Sequence, residues 1–235
     1  MIELVETRTM ESSIASAAGK LLRDHFGKGP GSLFVTVEKP FITIYLKNFL
    51  TPMENVLLEQ NNALKVQETR DLLMSKIKPD LQVLLSAETN HSVGTIRYDW
   101  NLEKRTGILF AELQTNPNEF ETDQLDYKAK KEIHEEIERF TKKAQKSPRN
   151  IKSFKLNDRT IISKREDILV CIENELINTG FEEQLRLSKR KLEKHLIQTT
   201  YLETVLEQAI EDVFVDWDFD SDTGYVIFIL HAPNK

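Results

Sequence analysis

Residues 215–230 read VDWDFDSDTGYVIFIL, and residues 98–113 read YDWNLEKRTGILFAEL. Laid over each other without a gap, they match Asp99 with Asp216, Trp100 with Trp217, Thr106 with Thr223, Gly107 with Gly224 and Leu113 with Leu230. The phrase is an internal repeat whose period is far longer than that of a solenoid module. A unit of that length can bury its own core, so the repeat predicts two tandem domains, over 1–116 and 127–235, joined by a polar connector at 117–126.

Upstream of the first copy, SSIASAAGKLLRDHF at 12–26 sets Ile14, Ala15, Ala18, Leu22 and Phe26 along one helical stripe, and GKGPG ends it. SLFVTVE and FITIYLKNF follow as strands, with Ile42, Ile44 and Leu46 on one face. In LTPMENVLLEQ, Thr51 suits a helix N-cap, Pro52 the first helical position and Glu54 the return arm of a capping box. A helix is predicted from there towards Lys78, with Pro79 opening a shorter one before the terminal hairpin.

The same order is expected downstream. YKAKKEIHEEIERFTKKA supplies a helix through Ile133, Ile137 and Phe140, and SPRNIKSFKLND and RTIIS supply strand material. ILVCIENEL reads as the strand matching Ile42, Ile44 and Leu46, with Cys171 a buried thiol, and NTGFEEQL as a second capping box made by Thr179 and Glu182. The predicted fold class is α+β: two similar domains, each a mostly antiparallel sheet with helices on one face, together a pseudo-dimer within one chain.

The composition, 40% hydrophobic and 30% charged, is that of a chain able to fill such cores. Of the net charge of −6, residues 1–117 contribute −1 and 118–235 contribute −5, so no nucleic-acid partner is expected. A single cysteine excludes an intrachain disulfide and suits a reducing cytosol. The opening MIELVETRTMESS lacks signal-peptide order, and no apolar run reaches bilayer length; action at a membrane is expected from its inner face.

Four stretches invite chemistry. GKGPGS could converge amides on an anion, but it lacks P-loop spacing and follows a helix; Gly27 as the left-handed residue past a helix end is the plainer reading. DWDFDSDTG alternates aspartates, yet counting from Asp218 the sixth and twelfth calcium-loop positions hold Thr223 and Ile229, so the aspartates read as the solvated face of a hairpin. KRKLEKH at 189–195 reads as a solvated basic helix face. The five histidines have no metal-ligand spacing, and neither a metal, a cofactor nor a catalytic constellation is expected.

Taken together, GKGP after an amphipathic helix, LTPxE at a helix start, ETR within the next segment and T-x-x-x-V-x-x-x-x-x-D before the last hairpin resemble the bacterial MpsC-like family, named for a sodium-translocating, membrane-potential-generating system. The matching residues are Gly27, Gly29, Pro30, Leu50, Thr51, Pro52, Glu54, Arg70, Thr89, Val93 and Asp99, within 12–113. Asn90 stands where glycine is expected, and asparagine tolerates a left-handed turn. The second copy, 128–230, resembles the family through the repeat, departing at the glycines, at Pro52 and at Arg70.

The resemblance connects the chain to a transport system for sodium, membrane potential or inorganic carbon. With no catalytic motif and a pseudo-dimeric repeat, the expected role is that of a non-enzymatic cytosolic accessory or regulatory protein with a protein partner, peripheral to such a system, and a homodimer is left open. The alternative is a sensor of a small anion or nucleotide, its ligand held by Gly27, Lys28, Gly29, Pro30 and Arg70 of the first copy.

Overall fold

The computed structural model describes residues 2–114 and 127–232, with side chains from residue 7 onward; the connector 117–126 lies outside the described residues. The chain divides into two compact units, Met1–Glu121 and Thr122–Lys235.

In unit 1, helix α1 (Ile2–Phe26) precedes β1 (Ser32–Glu38) and β2 (Phe41–Lys47). Helices α2 (Pro52–Glu59) and α3 (Ala63–Thr89) follow, then β3 (Ser92–Val93), β4 (Arg97–Asn101) and β5 (Thr106–Gln114). The sheet is antiparallel throughout: β1 pairs with β2, β2 with β5, and the far edge of β5 with both β4 and β3. Its helix-facing residues, Ile42, Ile44, Leu46, Trp100, Leu109 and Ala111, share one core with Ile14, Ala18 and Leu22 of α1 and Val66, Met74, Ile77, Leu81 and Leu85 of α3. Strand period and helical stripe therefore meet at a single apolar layer.

The helix order differs from the expected one. The short helix comes first: α2 stops at Gln60, Asn61 takes the left-handed conformation with φ 58°, and α3 then runs unbroken through Pro79. Pro79 and Ser75, whose carbonyl loses its helical partner there, both lie on the exposed side, where solvent can supply the missing donor. Asn90 does take the left-handed C-cap position of α3, with φ 54°.

Unit 2 runs α4 (Lys130–Ala144), β6 (Asn150–Asn157), β7 (Thr160–Glu166), α5 (Cys171–Asn178), α6 (Glu182–Ile197), α7 (Leu202–Leu206), β8 (Ile210–Asp218) and β9 (Thr223–Leu230). Its antiparallel sheet has the order β6-β7-β9-β8. Ile133, Ile137 and Phe140 of α4 pack with Ile161, Trp217, Val226 and Phe228. The hairpin repeat is exact in register: Trp100 lies opposite Gly107, and Trp217 opposite Gly224.

Between the hairpins the repeat is set differently from the sequence reading. The counterpart of β2 is β7, because Leu46 lies opposite Gly107 and Arg165 lies opposite Gly224. ILVCIENEL is therefore a loop and α5, with Cys171 as an exposed first helical residue rather than a buried strand thiol. Thr179 and Glu182 form no capping box. Thr179 is the C-cap of α5, its hydroxyl donating back to Glu175 O at 2.7 Å, and Glu182 opens α6 and pairs with Arg186. The true counterpart of the Thr51 cap is Val170, whose N–H donates to Glu173 Oε2 at 3.0 Å; valine has no oxygen to complete the box.

Candidate functional site

The motif residues of unit 1 come together at the point where α1 ends and α2 begins. Thr51 Oγ1 accepts from Glu54 N at 3.3 Å, and Thr51 N donates to Glu54 Oε2 at 2.7 Å, closing a capping box under Pro52. That reciprocal bond aims the Glu54 carboxylate at α3, where Arg70 meets it in fork geometry: Nε to Oε1 at 2.8 Å and Nη2 to Oε2 at 2.9 Å. Nη2 also donates to Phe49 O at 2.8 Å, tying the chain between β2 and α2 to the same group.

Arg70 is 0% exposed. Its guanidinium carbon lies 4.6 Å from the centroid of a Trp100 ring, 5.0 Å from that of Phe49 and 5.7 Å from that of Phe26. The rings themselves interlock, Phe26 meeting Phe49 edge-on at 4.9 Å. A charge removed from water is stabilised here by one carboxylate, one carbonyl and three π-faces. Burial pushes the Glu54 carboxyl up, but the Arg70 hydrogen bond and charge, with the Thr51 bonds, outweigh it and hold its pKa below the ordinary glutamate value.

The glycine loop sits beside this node without entering it. Gly27 has φ +73° and its N–H returns to Arg23 O at 2.9 Å, the geometry of a helix end. Lys28 Nζ donates to Leu50 O at 2.9 Å, linking the loop to the α2 entrance. A Cβ on Gly29 would lie 3.3 Å from Arg23 Nε. Gly27 and Lys28 are exposed, whereas Arg70 offers no surface to a solute. The motif thus splits into an outer turn and an inner arginine.

Farther along, Thr89 Oγ1 donates to Leu85 O at 2.7 Å at the end of α3, Val93 is buried in β3, and Asp99 Oδ1 accepts from Trp100 N at 2.7 Å.

Unit 2 rebuilds the node from other residues, which the sequence reading missed. Lys189 takes the place of Arg70 and donates to Glu173 Oε1 at 2.7 Å. Arg165, where unit 1 has Leu46, donates from Nη2 to Glu193 Oε2 at 2.7 Å and from Nη1 to Thr141 Oγ1 at 3.0 Å. Glu193, one helical turn past Lys189 as Met74 is past Arg70, also accepts from Trp217 Nε1 at 3.2 Å and Gln145 Nε2 at 2.5 Å. Lys189 and Arg190 are accordingly buried, so KRKLEKH is not a wholly solvated basic face. Burial holds the Lys189 pKa below the ordinary lysine value against the opposing pull of Glu193 and Glu173.

The alternating aspartates are not uniformly solvated either. Asp216 is buried and accepts from Arg186 Nη1, which also donates to Trp217 O at 3.0 Å. Among the described residues no group of three or more His, Cys, Asp or Glu could hold a metal ion, and no helix is long and apolar enough to cross a membrane.

The family model described as Na+-translocating membrane potential-generating system (MpsC) matches the chain twice in tandem, over residues 6–115 and 126–232. No curated protein and no solved structure matches.

Proposed function

Since the chain belongs to the MpsC family and carries two copies of its domain, we propose that it is a non-enzymatic accessory protein of the membrane-potential-generating system for which the family is named. On this reading it works in the cytoplasm, at the inner face of the membrane, through contact with an integral transport subunit of an ion or inorganic-carbon carrier. Its two like units act as a pseudo-dimer.

The observation that carries the reading is the fate of Arg70. It is the most chemically capable residue of the motif, and it is spent on Glu54, on Phe49 O and on three rings, with no exposed surface. A motif organised around such a residue supports a shaped surface rather than a reacting centre. Contact material lies outside the node: Met53 is 76% and Val56 52% exposed on α2, and Leu64, Leu72 and Val83 are exposed on α3. Unit 2 keeps an exposed apolar residue at the Met53 position, Ile172 on α5, and exposes Phe181, Leu192 and Tyr201 at other places.

The anion- or nucleotide-sensor reading then rests on the outer turn, Gly27 to Pro30, without Arg70. Titration calorimetry of the pure protein with nucleotides, phosphate and bicarbonate separates the two: saturable heat lost on Gly27→Val supports the sensor. Capture of the tagged chain from gently solubilised native cells tests the accessory reading, which requires transport subunits among the retained proteins.

A further inference from the structure

β1 is the outermost strand of its sheet, and among the described residues it pairs with β2 alone. Val37 N donates to Glu11 Oε1 at 3.1 Å, on α1, so this amide points away from β2. By the two-residue period of a strand, Leu33 and Val35 turn their N–H and C=O groups the same way, and no hydrogen bond from the other described residues reaches them.

Such an edge is normally guarded by lysines, prolines or bulges. β6, which holds the same place in unit 2, is guarded by Lys152, Lys155 and a register irregularity between Lys155 and Asn157. β1 is SLFVTVE, with one charge at its last residue and an unbroken register. On its helix-free side Phe34 is 48% exposed, its ring centroid 6.3 Å from that of Tyr45, with Lys47 Nζ 5.8 Å above it.

We propose that this edge binds β1 of a second copy of the chain, antiparallel, across a two-fold axis at Phe34. An edge paired with itself is isologous and closes as a dimer. Centred on Phe34, the register sets Leu33 of each copy against Val35 of the other, using the two outward residues that have no bond and leaving Val37 N–H with Glu11. A centre at Val35 or Thr36 would require the Val37 amide, which is already engaged. Phe34 then faces its symmetry mate in a non-hydrogen-bonded pair, with Cα atoms about 4.5 Å apart. The unguarded sequence of β1 and the guarded one of β6 limit the contact to unit 1 and prevent open-ended growth.

The interface is small compared with that of permanent dimers, so association depends on concentration. Sedimentation equilibrium of the intact chain from micromolar to millimolar concentration should show reversible dimerisation. Phe34→Lys, a surface change that places like charges opposite each other, should weaken it roughly tenfold or more with an unchanged thermal melt. In a Cys171→Ser background, Phe34→Cys should oxidise to a covalent dimer, and Thr36→Cys, whose mate lies at Ser32, should not. A monomer over the whole range, association unaffected by Phe34→Lys, or equal cross-linking at both positions would overturn the proposal.

Discussion

Arg70 grips Glu54 with two parallel hydrogen bonds, of 2.8 and 2.9 Å, from the second turn of α3 to the first turn of α2. The pair lies sixteen residues apart in sequence, and the same separation recurs in unit 2 between Lys189 and Glu173. A buried pair is costly to break from one side, because the survivor keeps its charge without water. Arg70→Leu should destabilise unit 1 by about 3–5 kcal/mol, and Glu54→Leu added to it should restore a large part. Urea unfolding of the native chain and the two variants checks this.

That linkage carries a pH signature. The native Glu54 pKa lies below its unfolded value, so the folded unit binds fewer protons there than the unfolded chain does. Its contribution is complete above the ordinary glutamate pKa of about 4.3 and is lost as pH falls through the lower native value. Urea midpoints of unit 1 should fall as the solution is taken from neutral to strongly acid, and the Glu54→Leu/Arg70→Leu variant should lose that part of the slope.

The polar core of unit 2 makes a sharper test. Arg165 and Glu193 are both 0% exposed and occupy the places of Leu46 and Met74. Arg165→Leu or Glu193→Met alone should cost about 3–5 kcal/mol, and the double variant much less, since an apolar pair of similar volume is often as stable as the ion pair it replaces. A double-mutant cycle by chemical denaturation measures the coupling.

Trp100 rests on Gly107 with no room to spare. A Cβ at residue 107 would lie 2.3 Å from the Trp100 ring, so Gly107→Ala must displace the indole that also flanks Arg70. A loss of roughly 1–3 kcal/mol is expected, with a changed tryptophan fluorescence spectrum, because overpacking forces side chains off their preferred rotamers.

The hairpins, the Thr51–Glu54 box and the apolar stripes of α1 and α4 could be read from the sequence, because turn chemistry and periodicity are local. The rest depended on pairings that local pattern does not encode. Thr179 and Glu182 imitate a capping box in spacing and residue type, and only the opposition of Arg165 to Gly224 shows that the repeat places Val170 and Glu173 there. Pro79 looked like a helix start, since nothing in the letters says that its side of α3 faces water. Lys189 and Arg190 read as solvated because their partners, such as Glu173 for Lys189, are distant in sequence. Arg70 was visible as a motif residue, but its burial was not, because Phe26, Phe49 and Trp100 come from three separate segments.

The central claim is that the chain acts by docking to a membrane transport system. Its most direct test is quantitative capture from gently solubilised native cells, comparing the tagged chain with a Met53→Glu/Val56→Glu variant whose substitutions lie on the exposed side of α2 and spare the Arg70 node. The account predicts integral transport subunits retained by the native chain and lost by the variant, with equal thermal stability of the two proteins. Recovery of no membrane subunit by the native chain would contradict it.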